Sequence, residues 1–287
     1  VAYALPAYRV PMSSRTAKGT PSVQLLPIPR EEKITSIVAI DSFDGDCYLL
    51  MLTKAGFIKR TALSAFSKIR SNGLIAINLE DGDSLTWVRL SKEGDSVLIG
   101  SRTGIAIHFR LDINELRPLG RTARGVKSMN LKEGDNLVSM DVLTSDLVDK
   151  LAEADDLTRE IDENLEVNSS DGPWVLIASA FGLGKRVPVN QFRLQKRAGM
   201  GLRAIKFRIK DDALVCLKVL GEGEELLFVT EKGVIVRTNA DKISQQSRAA
   251  TGVKLQRLDE GDHLSEVVLV PHEQTEETDQ FNQGKEN

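Results

Sequence analysis

The chain is poor in the residues that usually carry chemistry. Its 287 residues include three histidines, His108, His263 and His272, and no two of them stand at metal-ligand spacing. Its two cysteines, Cys47 and Cys216, lie far apart within apolar stretches. They make neither a disulfide framework nor a zinc site, and they read as buried free thiols in a reducing compartment. No phosphate-loop spacing and no nucleophile elbow is present. Aromatics are 5 % of the chain, too few to predict an aromatic face for a protein partner. No run approaches the roughly 18 apolar residues of a membrane span. No basic segment followed by an apolar one opens the chain, so no signal peptide is read there.

The chain is rich in repetition. A hydrophobic strand, a turn glycine, a return strand, a basic stretch ending in glycine, a further strand, an acidic turn and a last strand recur along it. The basic stretches end at Gly19, Gly73, Gly125, Gly201 and Gly252. Hairpin glycines stand at Gly56, Gly104, Gly182 and Gly233, between runs rich in strand formers such as CYLLMLT and FIKRT. Beyond each basic glycine, positions +4 and +6 are apolar in three units (Ile77 and Leu79, Met129 and Leu131, Ile205 and Phe207). Position +5 is polar: Asn78, Asn130, Lys206 and Arg257. That alternation predicts a strand with one inward face. Ten residues beyond the glycine stand Asp83, Asp135, Asp211 and Asp262, the acidic turns.

A repeat of about 50 residues built from four short antiparallel strands predicts an all-β, propeller-like array. The units are read as about 1–43, 44–93, 94–143, 172–222 and 223–270. An acidic insert covers 144–171, read equally as a loop or a docked helix. An acidic tail covers 271–287 and is expected to be disordered. Val1 aligns with the residue after a hairpin glycine, so the first unit lacks its opening strand and the chain reads as part of something longer.

The net charge of −3 hides an asymmetry. The insert contributes −8 and the tail −4, which leaves the repeats at +9. The bases recur at fixed places. Four residues before the basic glycine stand Arg15, Arg121, Arg197 and Arg248, and one residue before it Lys18 and Arg124. Two residues after it come Lys127, Arg203 and Lys254. Four residues after the hairpin glycine come Arg60, Arg186 and Arg237, with His108 in the remaining unit. Lys59 and Lys185 precede two of these. Equivalent positions in stacked blades form a ring, so the bases predict a track for a polyanion, bound without base readout. With Lys196, the expected contacts are Arg15, Lys18, Arg60, Arg121, Arg124, Lys127, Arg186, Lys196, Arg197, Arg203, Arg237, Arg248 and Lys254. The insert and tail are expected to compete with DNA for that track.

Five segments carry a resemblance: YRVPMSSRTAKGTPSVQLLPI (Tyr8–Ile28), GFIKRTALSAF (Gly56–Phe66), GRTARGVKSMNLKEGD (Gly120–Asp135), GLGKRVPVNQFRLQKRAGMG (Gly182–Gly201) and QSRAATGVKLQRL (Gln246–Leu258). With them the chain resembles the C-terminal β-pinwheel of the DNA gyrase A protein over residues 1–270. The insert followed by GPWVLI is similar to the cyanobacterial or plastid branch. The resemblance implies a β-pinwheel that wraps double-stranded DNA and supports ATP-dependent negative supercoiling. It implies as partners the gyrase A N-terminal domain and gyrase B in an A2B2 assembly, with no membrane. It implies no cofactor in this piece and no catalysis by it, since the cleaving tyrosine and the ATPase (ATP and magnesium) lie elsewhere in the family's enzyme. It implies a bacterial cytoplasmic location, or alternatively a plastid. The family's box, Gln-Arg-Arg-Gly-Gly-Lys-Gly, sits in the first blade. The nearest copy here is Gln195-Lys196-Arg197-Ala198-Gly199-Met200-Gly201, a degenerate form with methionine in place of lysine. The equivalent domain of topoisomerase IV is the near alternative, and a protein-interaction propeller the alternative of another class.

Overall fold

A computed structural model of the chain describes residues 1–14, 16–29, 32–150, 173–221 and 223–270. Arg15, most of the acidic insert and the acidic tail lie outside the described residues. The second unit lays down β1 (Cys47–Thr53), β2 (Phe57–Ala62) and β3 (Leu85–Lys92). The third unit contributes β4 (Ser96–Ser101), β5 (Ile105–Arg110), β6 (Val126–Lys127) and β7 (Leu137–Leu143). The fourth contributes β8 (Trp174–Ser179), β9 (Leu183–Pro188), β10 (Leu202–Arg203) and β11 (Leu214–Leu220). The fifth contributes β12 (Glu225–Thr230), β13 (Ile235–Asn239), β14 (Val253–Lys254) and β15 (Leu264–Val270).

A blade in space is not a unit of the sequence. The sheet orders are β3-β1-β2-β6, β10-β5-β4-β7, β11-β8-β9-β14 and β13-β12-β15. The short strand after each basic glycine therefore leaves its own unit and closes the blade before it. The register repeats: Val126 faces Ile58, Leu202 faces Ala106 and Val253 faces Gly184. The isolated bridge between Ala2 and Leu74 is the same crossover onto the first unit. The following +3 N–H donates to the hairpin glycine of the preceding unit, from Ser128 to Gly56, Ala204 to Gly104 and Leu255 to Gly182.

The crossover explains why glycine ends each basic stretch. Gly125, Gly201 and Gly252 all have positive φ, at 105°, 74° and 94°. A Cβ there would lie within 2.6–2.8 Å of the carbonyl oxygens of Ile58, Ala106 and Gly184. Only glycine lets the strap pass that close to the preceding hairpin. The crossover also corrects one expectation. The ladder pairs positions +1 and +2, not +4 to +6. The residues at +4 are nevertheless buried (Ile77, Met129, Ile205) and those at +5 exposed.

The core lies between blades. Leu50 and Leu52 pack with Val97, Ile99 and Phe109, while Leu49 and Met51 face the first unit. Val175 and Ile177 face the blade before theirs; Trp174, Leu176 and Ala178 face the one after. β1, β4 and β8 are apolar on both faces because both faces are covered, whereas β12 alternates buried and half-buried residues. The insert begins as a helix at 145–150, whose Val148 is buried against this core.

Two side-chain devices close each hairpin. A Ser or Thr three residues before the hairpin glycine is buried in every described unit that has one: Thr53, Ser101, Ser179 and Thr230. Three of them accept the N–H of the residue after the glycine. The acidic turn then reaches back to the residue before that glycine. Asp83 accepts from Ala55, Asp135 from Thr103 and Asp262 from Lys232. Burial pulls the Asp262 carboxyl upward, but hydrogen bonds from Thr230 and from the N–H groups of Lys232 and His263 leave it below the usual range. In the fourth unit this role falls to Asp212, bonded to Phe181 N–H, and the expected Asp211 is exposed.

Candidate nucleic-acid interface

The straps, the segments that run through the basic glycines and a few residues beyond, lie along the return strands of the preceding hairpins and carry most of the expected bases. Lys18, Arg124, Lys127, Lys196, Arg203 and Lys254 are exposed, and Arg121, Arg197 and Arg248 half-buried. Two of the half-buried arginines stitch one strap to the next. Arg197 donates from Nη1 to the carbonyl of Lys127 at 2.8 Å and from Nε to that of Glu115 at 2.7 Å. Arg248 donates from Nη1 to the carbonyl of Arg203 at 2.5 Å. The partner is the +2 residue of the preceding strap in both cases. Main-chain bonds from Asn130 to Gly199 and from Lys206 to Ala250 double the stitch. The third, fourth and fifth straps are thus one connected ribbon. Arg124, with its side chain 46 % exposed, stacks on the Phe57 ring at 4.4 Å and pairs with Glu80.

The bases four residues after the hairpin glycine are a different set. The sequence places Arg60 on the track, but its side chain has no solvent exposure. It donates to the carbonyls of Leu116 and Leu111 and to Glu93, and lies 4.7 Å from the Tyr48 ring centroid. Arg186, 12 % exposed, donates to the carbonyl of Ile243 and to Asp241 and covers Trp174. His108 takes the same place, donating from Nδ1 to the Phe192 carbonyl at 2.7 Å while Nε2 accepts from Ser96. Burial lowers its pKa, so the ring is neutral. The carbonyl acceptors of Arg60, Arg186 and His108 all belong to the following unit. The position is an inter-blade latch, and a phosphate cannot reach Arg60. Arg237 stands in the last unit and pairs with Glu225 instead, its side chain 62 % exposed.

Sequence reasoning missed Lys206. It lies at the exposed +5 position of the fourth unit, and its N–H is bonded to the fifth strap. The alternation that placed +5 outward was the available signal. The thiols are free, Cys47 half-buried and Cys216 buried, where burial pushes Cys216 up to about 12. Among the described residues no cluster of His, Cys, Asp and Glu could hold a metal ion, and no helix is long and apolar enough to cross a membrane.

Antiparallel blades joined by crossover strands, with a basic strap ribbon along their edges, define a β-propeller of the pinwheel type. The family model for the DNA gyrase C-terminal domain, beta-propeller, matches residues 2–41, 48–92, 95–144, 173–215 and 224–271, and the chain belongs to that family. The DNA gyrase A protein of Synechocystis sp. is 53 % identical over the whole chain, which spans 34 % of that relative. The chloroplastic/mitochondrial DNA gyrase A protein of Nicotiana benthamiana is 39 % identical over 93 % of the chain and 29 % of the relative. The chain thus spans about a third of the length of these curated relatives. A solved DNA gyrase A C-terminal domain superposes with a TM-score of 0.69 at 27 % identity, covering 88 % of this chain and 75 % of that one. The C-terminal domain of a DNA topoisomerase IV gives 0.71 at 26 %, over 88 % and 70 %.

Proposed function

We propose that this chain binds double-stranded DNA along the strap ribbon, without reading its sequence, and bends it around the blades as the wrapping module of a gyrase A protein. The observation that carries the reading is the stitching of three consecutive straps into one ribbon. The ribbon repeats an exposed base two residues after each glycine, Lys127, Arg203 and Lys254, with Arg124 and Lys196 exposed beside them. Such a ribbon meets successive phosphates of one curved duplex. Bending a stiff duplex costs a few kcal/mol, and counterion release from several phosphates offsets it. In the complete enzyme this wrapping would serve ATP-dependent negative supercoiling together with the gyrase A N-terminal domain and gyrase B. A bacterial cytoplasm and a plastid both fit this reading. The backbone does not separate gyrase from topoisomerase IV, since the two solved domains superpose almost equally. The sequence likenesses favour gyrase.

The test is binding to short and long duplexes of unrelated sequence across a salt series, the long duplex carrying a dye at each end. Sequence-independent binding, a steep salt slope and approach of the dyes are the expected results. Absence of binding at low salt would remove the reading and favour a protein-interaction propeller.

A further inference from the structure

Two lysines lie beneath the straps with no solvent exposure, Lys59 on β2 and Lys185 on β9. Each stands three residues after its hairpin glycine. The Lys59 ammonium donates to the carbonyls of Gly120, Arg121 and Ala123, at 3.1, 2.5 and 3.0 Å. The Lys185 ammonium donates to those of Ser247, Arg248 and Ala250, at 2.7, 2.6 and 2.7 Å. Counted from the strap glycine, the acceptors are the same three residues, −5, −4 and −2. All three donors of each ammonium are thereby used on carbonyls, with no carboxylate among them. Burial lowers both to about 8, with the nearby Arg248 charge adding to the shift at Lys185. A buried cation without a counter-charge is costly, so its recurrence on two straps calls for a use.

We propose that Lys59 and Lys185 are positioning residues for DNA binding, drawing strap carbonyls inward so that the opposing N–H groups and the strap arginines face phosphate. The inference rests on the reading of the straps as the DNA track. Its geometry follows from the planar trans peptide, in which the N–H of the next residue points opposite to the carbonyl. Carbonyls of Gly120, Arg121 and Ala123 held inward turn the N–H groups of Arg121, Thr122 and Arg124 outward. The matching groups on the other strap are those of Arg248, Ala249 and Thr251. Arg248 N–H is bonded to Gln191. Among the described residues, the N–H groups of Thr122, Arg124, Ala249 and Thr251 have no protein acceptor. Outward amides beside arginines form an anion seat of the kind that binds phosphate. The two remaining units show what the lysine adds. Ile107 and Val236 hold its place there, so the fold itself accepts an aliphatic side chain at this position. Above Ile107, the −2 carbonyl of Gly199 is held by the neighbouring strap alone, through Asn130.

The experiment uses Lys59→Ile and Lys185→Val, the residues of the other units. Both variants are expected to fold, with a lowered unfolding midpoint because three strap carbonyls lose their donor, while the slope of log affinity against log salt falls by about two units each, because two strap bases lose their register together. Affinity at physiological salt should drop by at least about tenfold. Lys59→Met and Lys185→Met, which keep an unbranched stem, supply the same reading if a branched variant fails to fold. A folded variant whose slope is unchanged, or falls by only about one unit as for one lost charge, overturns the positioning role. If the unaltered chain fails to bind DNA at low salt, the DNA reading itself falls, and the two failures stay distinct.

Discussion

The guanidinium of Arg197 reaches back to the main-chain carbonyl of Lys127, 2.8 Å away, and joins two straps that lie a whole unit apart in the sequence. Its backbone N–H is held in turn by the Glu115 carboxylate at 2.8 Å. Arg197 therefore sets the step between neighbouring straps as well as adding charge. Replacing Arg197 with lysine keeps the charge and removes the fork. The expected result is a small change in short-duplex affinity but a clear loss of end-to-end approach on the long duplex, read by energy transfer. Equal bending by the variant would show that the step is held by main-chain bonds alone.

Charge reversal on one strap separates phosphate contact from base readout. Arg121→Glu with Arg124→Glu should weaken binding by a similar factor on every duplex and reduce the salt slope by about two units. A loss confined to one sequence would contradict the proposed mode. The same change releases Glu80 from its pair with Arg124, so Glu80→Gln alone is the control.

Arg60 makes the opposite prediction. Its removal leaves the carbonyls of Leu111 and Leu116 without their donor beneath a closed interface. Arg60→Met should cost about 2–3 kcal/mol of stability in urea unfolding. Because Arg60 is out of reach of solvent, the salt slope of the folded variant should be unchanged. A fall in slope would place Arg60 on the track after all.

Ala198 is the one non-glycine residue with positive φ among the described residues, at 61°. It is exposed, so its side chain offers little packing against that strain. Ala198→Gly should stabilise the domain by about 1 kcal/mol, measured as a rise in unfolding midpoint. A fall would mean that the methyl group packs more than its exposure indicates.

His108 gives the domain an acid-sensitive joint. Burial lowers its pKa; the Arg110 charge acts the same way, against the hydrogen bond to Phe192. The folded state therefore holds fewer protons than the unfolded chain below the ordinary histidine value of about 6.5. The stability that neutral His108 contributes is complete above that value and is lost as pH falls from it toward the folded pKa. The unfolding midpoint should drop between about pH 7.5 and about pH 5.5, and drop less in His108→Gln. Identical pH profiles for the two proteins would remove His108 as the cause.

Much of this architecture is legible in the chain. The hairpin glycines and the strand formers on either side of them predict the hairpins, and the acidic turns predict a last strand in each unit, where β3, β7, β11 and β15 stand. The strap glycines predict a repeated turn, and the register of five units carries the family. Three things are not legible, each for a physical reason. The crossover of β6, β10 and β14 is hidden because a two-residue strand has the same local pattern whichever blade it joins. The shift from Asp211 to Asp212 is hidden because adjacent aspartates are equivalent in a pattern and differ only in which one reaches Phe181.

The third is the sorting of the bases. Sequence by itself determines that positive charge recurs with the period of the blade, since spacing is a property of the chain. It does not determine which recurrences meet solvent. Arg60, Lys59 and Arg124 each belong to a repeat position that carries bases, yet one latches two blades, one holds a strap from beneath and one faces outward. That division is made by the neighbouring unit. Its carbonyls, brought within 3 Å or so by the crossover, satisfy a buried cation in one place and leave another to water, and only the packed array places them there.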